Sequence, residues 1–172
     1  MVRLWQKGLW VASKWAYKVA REGLTVPIPQ AVFERLVRRL ARDAAQELKV
    51  RPRAPAHLVI TGRKKVGIWL DVTAVFRLEP PAPDGPPRSL RLIPECVRPL
   101  PARSPVLSAM AAVPGVEREE GQLRIDLDRL MADDEWGRRL PAAVRQRLRV
   151  AEVAADSRRI QLRLRLCRHT AA

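Results

Sequence analysis

Little in this chain of 172 residues belongs to the usual chemistry of catalysis or metal binding. Its two histidines, His57 and His169, leave few carriers for imidazole acid–base chemistry. Its two cysteines, Cys96 and Cys167, stand far apart, in neither a Cys-x-x-Cys pair nor a zinc-ligand spacing with histidine. That excludes a zinc knuckle and a multi-bridge disulfide framework. Both thiols read as buried or idle in a reducing compartment, with a single bridge between them left open. No run of about 20 apolar residues is present, so no helix crossing a bilayer is expected. Acidic residues are scarce beside basic ones: 18 Asp and Glu against 33 Lys and Arg, a net charge of +15. Only eight residues are aromatic, and five of them are tryptophan.

The motifs of familiar enzymes are missing too. Residues 62–67 have the glycine spacing of a phosphate-binding loop, but Ile68 and Trp69 stand where Lys and Ser or Thr would hold phosphate and magnesium. Asp126 and Asp128 open like a calcium loop, yet Met131 takes the place of the glycine that makes its sharp turn. No serine lies in a Gly-x-Ser-x-Gly elbow. Asp133, Asp134 and Glu135 read as a solvated helix start rather than a metal site. No helix-turn-helix spacing, zinc ligand set or aromatic pair on adjacent strands marks a known nucleic-acid module. The chain is read as non-enzymatic, with no cofactor or metal.

What the chain does have is positive charge, unevenly placed. Residues 1–65 carry 15 basic and 4 acidic side chains, whereas residues 66–172 carry 18 and 14. Such a balance points to polyanions: nucleic acid, or a membrane surface rich in acidic lipid. Over residues 3–22 apolar positions recur every three or four residues, which predicts an amphipathic helix closed by Gly23. Arg3, Lys7, Lys14, Lys18 and Arg21 form a basic stripe along it, and Trp5, Trp10 and Trp15 wind around it at five-residue steps. Indoles beside lysines suit a membrane interface, and five basic residues at about 1 kcal/mol each support reversible attachment rather than anchoring. The alternative for this helix is docking on its own domain, with the tryptophans filling gaps there. The basic, then apolar, start imitates a signal peptide, but Lys14 and Lys18 cut the apolar run short; it is read as uncleaved, and the protein as not secreted.

The rest reads as one domain over residues 24–172. Two prolines make residues 24–29 extended, and Pro29 opens a second helix whose broad apolar stripe, including Phe33, Leu36 and Leu40, runs to about Lys49. Strands follow at 57–61 and 66–78, joined by a basic turn of Gly62, Arg63, Lys64 and Lys65: a hairpin with a cationic tip. A proline-rich loop at 79–87 leads to a strand at 89–97, a short helix at 106–113 and a strand at 122–127. Helical turns are expected at 128–137 and 141–147, then strands at 149–154 and 159–167, where Ile160, Leu162, Leu164 and Leu166 alternate with polar residues. The expected fold class is α+β: N-terminal amphipathic helices, then a curved, mainly antiparallel sheet wrapping a helix.

This order of elements, with Gly-Gln-Leu-Arg-Ile-Asp-Leu-Asp-Arg-Leu-Met at 121–131 and Leu-Arg-Val-Ala-Glu-Val-Ala-Ala-Asp-Ser-Arg-Arg-Ile-Gln-Leu-Arg-Leu at 148–164, resembles the tubular lipid-binding (TULIP) superfamily, including bacterial LmeA-like domains. The likeness covers residues 30–166 in pattern. It implies a long bent sheet around a helix, an apolar groove for acyl chains and no catalytic residue. Phe33, Leu36, Leu40, Ile68, Leu70, Val72, Phe76, Leu123, Ile125, Ile160, Leu162 and Leu164 would wall that groove. The chain departs from the superfamily by lacking a secretory signal and by carrying the tryptophan helix.

The expected function is non-enzymatic binding of anionic membrane lipid or an acyl-chain ligand, in a cytoplasmic protein placed peripherally at the inner face of the membrane. The alternatives are nucleic-acid binding through the same basic surface, with Arg63, Lys64 and Lys65 as a second cluster, and a structural or oligomeric role in a larger assembly.

Overall fold

A computed structural model describes residues 22–32, 34, 46–66, 68–112, 114–131 and 147–166. Nine strands lie among them: β1 (Leu24–Pro29), β2 (Gln46–Arg53), β3 (His57–Val66), β4 (Ile68–Glu79), β5 (Ser89–Arg98), β6 (Val116–Glu119), β7 (Gln122–Asp126), β8 (Leu148–Ala155) and β9 (Arg159–Leu166). Two helices, α1 (Arg103–Ala111) and α2 (Leu127–Met131), flank the β6–β7 pair. Every strand pairing here is antiparallel. The strands form two sheets, β1-β9-β8 and β2-β3-β4-β5-β7-β6.

Strand accounts for 61% of the described residues, so the expected α+β chain with one curved sheet wrapping a helix is corrected to a two-sheet, strand-dominated fold. The first predicted helix lies almost wholly outside the described residues. Of the second, residues 30–32 and 34 are helical. The cause of the difference is that the inward faces of the strands cover each other. Val26, Ile28, Val150, Ile160 and Leu162 of the small sheet join Leu58, Phe76, Leu90, Leu92, Leu123 and Ile125 of the large one in a single continuous core. An apolar sheet face must be buried against something, and a second sheet serves as well as a helix.

Backbone and arginine contacts fasten β8 to the loops of the large sheet. The Ala155 amide donates to Pro55 O at 2.6 Å and the Val150 amide to Pro87 O at 2.9 Å. Arg149 donates to Pro83 O at 3.0 Å and to Ala82 O at 2.5 Å, which ties down the proline-rich loop that the sequence predicts at 79–87. At the start of β1, Gly23 has φ +77, and a Cβ there would stand 2.8 Å from Leu164 O. Only glycine fits both the left-handed backbone and that close approach. Asp126 accepts from the amides of Asp128 at 2.9 Å and Arg129 at 3.3 Å, so it caps α2.

Two local expectations are overturned. Residues 46–49 belong to strand β2, not to the end of a helix. Gly62, Arg63, Lys64 and Lys65 are not a turn: they continue β3 in register, and the hairpin reverses only between Val66 and Ile68. In both places pairing with the next strand along the chain overrides local preference. No described helix is long and apolar enough to cross a membrane.

Candidate anion-binding face

The outer face of the six-stranded sheet, turned away from the core, carries basic residues in successive rows. Strand register places Arg53, His57, Arg77 and Ile93 across one row, Arg51, Val59, Val75 and Cys96 across the next, and Lys49, Thr61, Thr73 and Arg98 across a third. Side chains at directly opposed positions share a face. Lys49, Arg51 and Arg53 therefore stand on alternate residues of β2, about 6.7 Å apart along the strand. Between them, Val50 and Pro52 turn inward and are buried.

The floor of this face, Val59, Thr61, Thr73, Val75 and Cys96, is half-buried and made of short side chains, while Lys49, Arg51, Arg53 and Arg98 are exposed. Three strand spacings separate β2 from β5, about 14 Å. The result is a shallow trough, cationic along its β2 side and bounded on β5 by one cation, Arg98, with a floor of little charge.

Pairing divides the basic residues of the sheet into two groups. Arg77 pairs with Glu79 and, at 3.1 Å, with Glu95, which also meets His57 at 3.1 Å. Arg91 pairs with Glu79, and Arg124 pairs with Glu117 and, at 2.5 Å, with Glu119. By contrast, Lys49, Arg51, Arg53 and Arg98 have no carboxylate within ion-pair distance among the described residues. Among the described residues, acids thus neutralise the cations toward β7 and β6, while those on β2 keep their charge.

Beyond the trough, Arg63 meets Asp71 at 3.0 Å, and its guanidinium carbon lies 5.9 Å from the centroid of the Trp69 ring. Trp69 is 44% exposed, an unusual setting for so large an apolar ring. Lys64 and Lys65 occupy register positions opposite Leu70 and Trp69.

Of the residues the sequence singles out, Arg3, Trp5, Lys7, Trp10, Lys14, Trp15, Lys18 and Arg21 lie outside the described residues, as do Phe33, Leu36 and Leu40. Phe76, Leu123, Ile125, Ile160 and Leu162 are at most 3% exposed and pack in the core between the sheets. Leu70, Val72 and Leu164 are half-buried, and Ile68 sits opposite Val66 beside the hairpin reversal. Arg63 does join the cationic face. Sequence reasoning missed Lys49, Arg51, Arg53 and Arg98. The signal for the first three was present as Lys-x-Arg-x-Arg, a period of two in charge hidden by reading the segment before it as helix.

No family model, curated protein or solved structure matches this chain, which leaves the chemistry of its own surface as the guide to function.

Proposed function

We propose that this chain binds nucleic acid through phosphate contacts on the outer face of its six-stranded sheet. The observation that carries this reading is the row of cations on β2, together with Arg98, without carboxylate partners among the described residues while other basic residues of the same sheet are paired. Phosphate is the anion such side chains meet in rows, and each contact releases a condensed counterion. Four contacts give a log–log salt dependence with a slope of about −3.

Basic residues and a proline on an edge strand also have a simpler use, blocking edge-to-edge aggregation. Charge reversal separates the two roles, because glutamate guards an edge as lysine does but repels phosphate. The test is anisotropy of a labelled oligonucleotide at several salt concentrations, with the wild type and a Lys49→Glu, Arg51→Glu, Arg53→Glu variant. The variant is expected to keep the oligomeric state of the wild type, bind far more weakly and flatten the slope by about 2. Equal affinity and equal slope for the two proteins would refute the proposal.

A second reading is attachment to acidic lipid. It is favoured by the tryptophans and lysines interleaved along residues 5–18. Flotation with vesicles of graded acidic-lipid content tests it, with deletion of residues 1–22 as the control. Flotation that survives the deletion rules that segment out as the anchor.

A further inference from the structure

The β3–β4 hairpin outruns its neighbours. The pairing of β2 with β3 ends at Gln46 opposite Arg63, and that of β5 with β4 ends at Arg98 opposite Thr73. The two hairpin strands stay paired as far as Val66 and Ile68. Among the described residues, then, the end of the hairpin, where residues 64–66 pair with 68–70, is a two-stranded ribbon roughly 10 Å long. Past the row of Arg63 and Asp71, the register sets Lys65 opposite Trp69.

Trp69 is placed on this ribbon with nearly half its surface in water. A two-stranded ribbon has no core in which to bury an indole. Arg63 over the ring, held by Asp71, accounts for one contact and fixes the orientation of the pair. An exposed indole at the end of a cationic trough is the arrangement on which unpaired bases stack while the sugar-phosphate chain follows the charges. In a duplex the base faces are already stacked on one another, so a ring lying on a sheet face has nothing to receive.

Resting on the nucleic-acid reading above, we infer that Trp69 is a stacking platform and that the form bound is single-stranded. The strand's phosphates follow Lys49, Arg51 and Arg53, and one base lies on the indole. Asp71 positions Arg63, which braces the ring.

The test uses the full chain and a labelled thymidine oligonucleotide, alone and annealed to its complement. The wild type is expected to bind the single strand more tightly than the duplex. Trp69→Ala should weaken single-strand binding roughly tenfold, while Trp69→Phe keeps most of it. The salt slope should not change, because stacking releases no counterions. Trp69→Leu keeps apolar bulk without a ring, is expected to show the same loss, and serves where the alanine variant does not fold. Equal affinity for both forms, or equal losses on both in a folded Trp69 variant, overturns the inference. A Trp69→Ala protein that binds the single strand like the wild type, while reversal of Lys49, Arg51 and Arg53 still abolishes binding, overturns the stacking role and leaves the phosphate reading standing. Binding of acidic vesicles and of neither nucleic acid overturns both.

Discussion

Arg91 of β5 and Arg124 of β7 occupy directly opposed positions on neighbouring strands, so two guanidinium groups leave the sheet side by side. Like charges at such positions destabilise a sheet, and each of these is balanced from the strand on its other side. Glu79 on β4 takes Arg91, and Glu117 and Glu119 on β6 take Arg124. The hydrogen bond to Glu119, with the negative charge around it, holds the Arg124 pKa above its ordinary value. Arg91 has less support, because its Nε is buried with no hydrogen-bond partner among the described residues.

Glu79 is the hinge of this ladder, since it also pairs with Arg77. Glu79→Gln leaves Arg91 facing Arg124 uncompensated and should destabilise the protein by about 1 kcal/mol, a value kept small by the partial exposure of all three groups. Adding Arg91→Gln removes the repulsion, so the double variant should be more stable than the sum of the single changes implies. Urea unfolding of the four proteins measures the coupling. Strict additivity would show that the ladder carries none.

Glu120 and Gly121 join β6 to β7 as a two-residue loop, both with positive φ, 46 and 80. This is the type I′ geometry, which favours Asn-Gly and charges a glutamate for its left-handed backbone. Glu120→Asn should therefore stabilise the fold by about 0.5–1 kcal/mol. Gly121→Ala should cost about 1 kcal/mol. A Cβ at Gly121 would meet nothing within 4 Å, so that cost is conformational alone. Thermal melts of both variants check the two signs.

Asp156 sits in the β8–β9 turn, where Oδ1 accepts from the amides of Arg158 at 2.8 Å and Arg159 at 3.0 Å, and Oδ2 meets Arg159 Nε at 2.9 Å. The Arg158 amide first, and then the Arg159 side chain, push its pKa below the usual carboxylate value. A carboxylate with a lowered folded-state pKa adds stability above its unfolded pKa and loses it as pH falls through the folded one. Asp156→Asn should then be less stable than the wild type near neutral pH. The gap should close in acid, below the ordinary carboxylate range. Unfolding curves at a series of pH values test this, and a gap that stays constant with pH would count against the charge as its source.

How far the sequence foretold this fold depended on where the deciding contacts lie. β9 was legible because Ile160, Leu162 and Leu164 face one side and Gln161, Arg163 and Arg165 the other, a period that needs no partner to be seen. β1 was legible from Pro27 and Pro29, which forbid helix. β6 was missed because Val116 is the one buried residue of its four, which leaves no alternation to read. The site was hidden by the same error as β2. Gln46, Glu47, Leu48 and Lys49 are good helix formers that follow an apolar stripe of helical period, and only pairing with β3, at Thr61 and Arg63, makes them strand. With that stretch read as helix, the alternation of Lys49, Arg51 and Arg53 had no sheet face on which to appear.

Glu47 allows a test of that reassignment whose two outcomes differ in sign. The register of β2 against β3 shifts between Gln46 and Lys49, a bulge with one extra residue, and Glu47 lies there with φ 55. A bulge residue in the left-handed region favours glycine. In the strand, Glu47→Gly relieves a strain of about 1–2 kcal/mol and gives back part of it in unfolded-state entropy, for a net gain of about 0.5–1 kcal/mol. In a helix the same substitution would cost about 0.5–1 kcal/mol. Chemical unfolding of Glu47→Gly distinguishes the two. A destabilised variant would return residues 46–49 to the helix and take the outer-face position of Lys49, the first cation of the trough, with them.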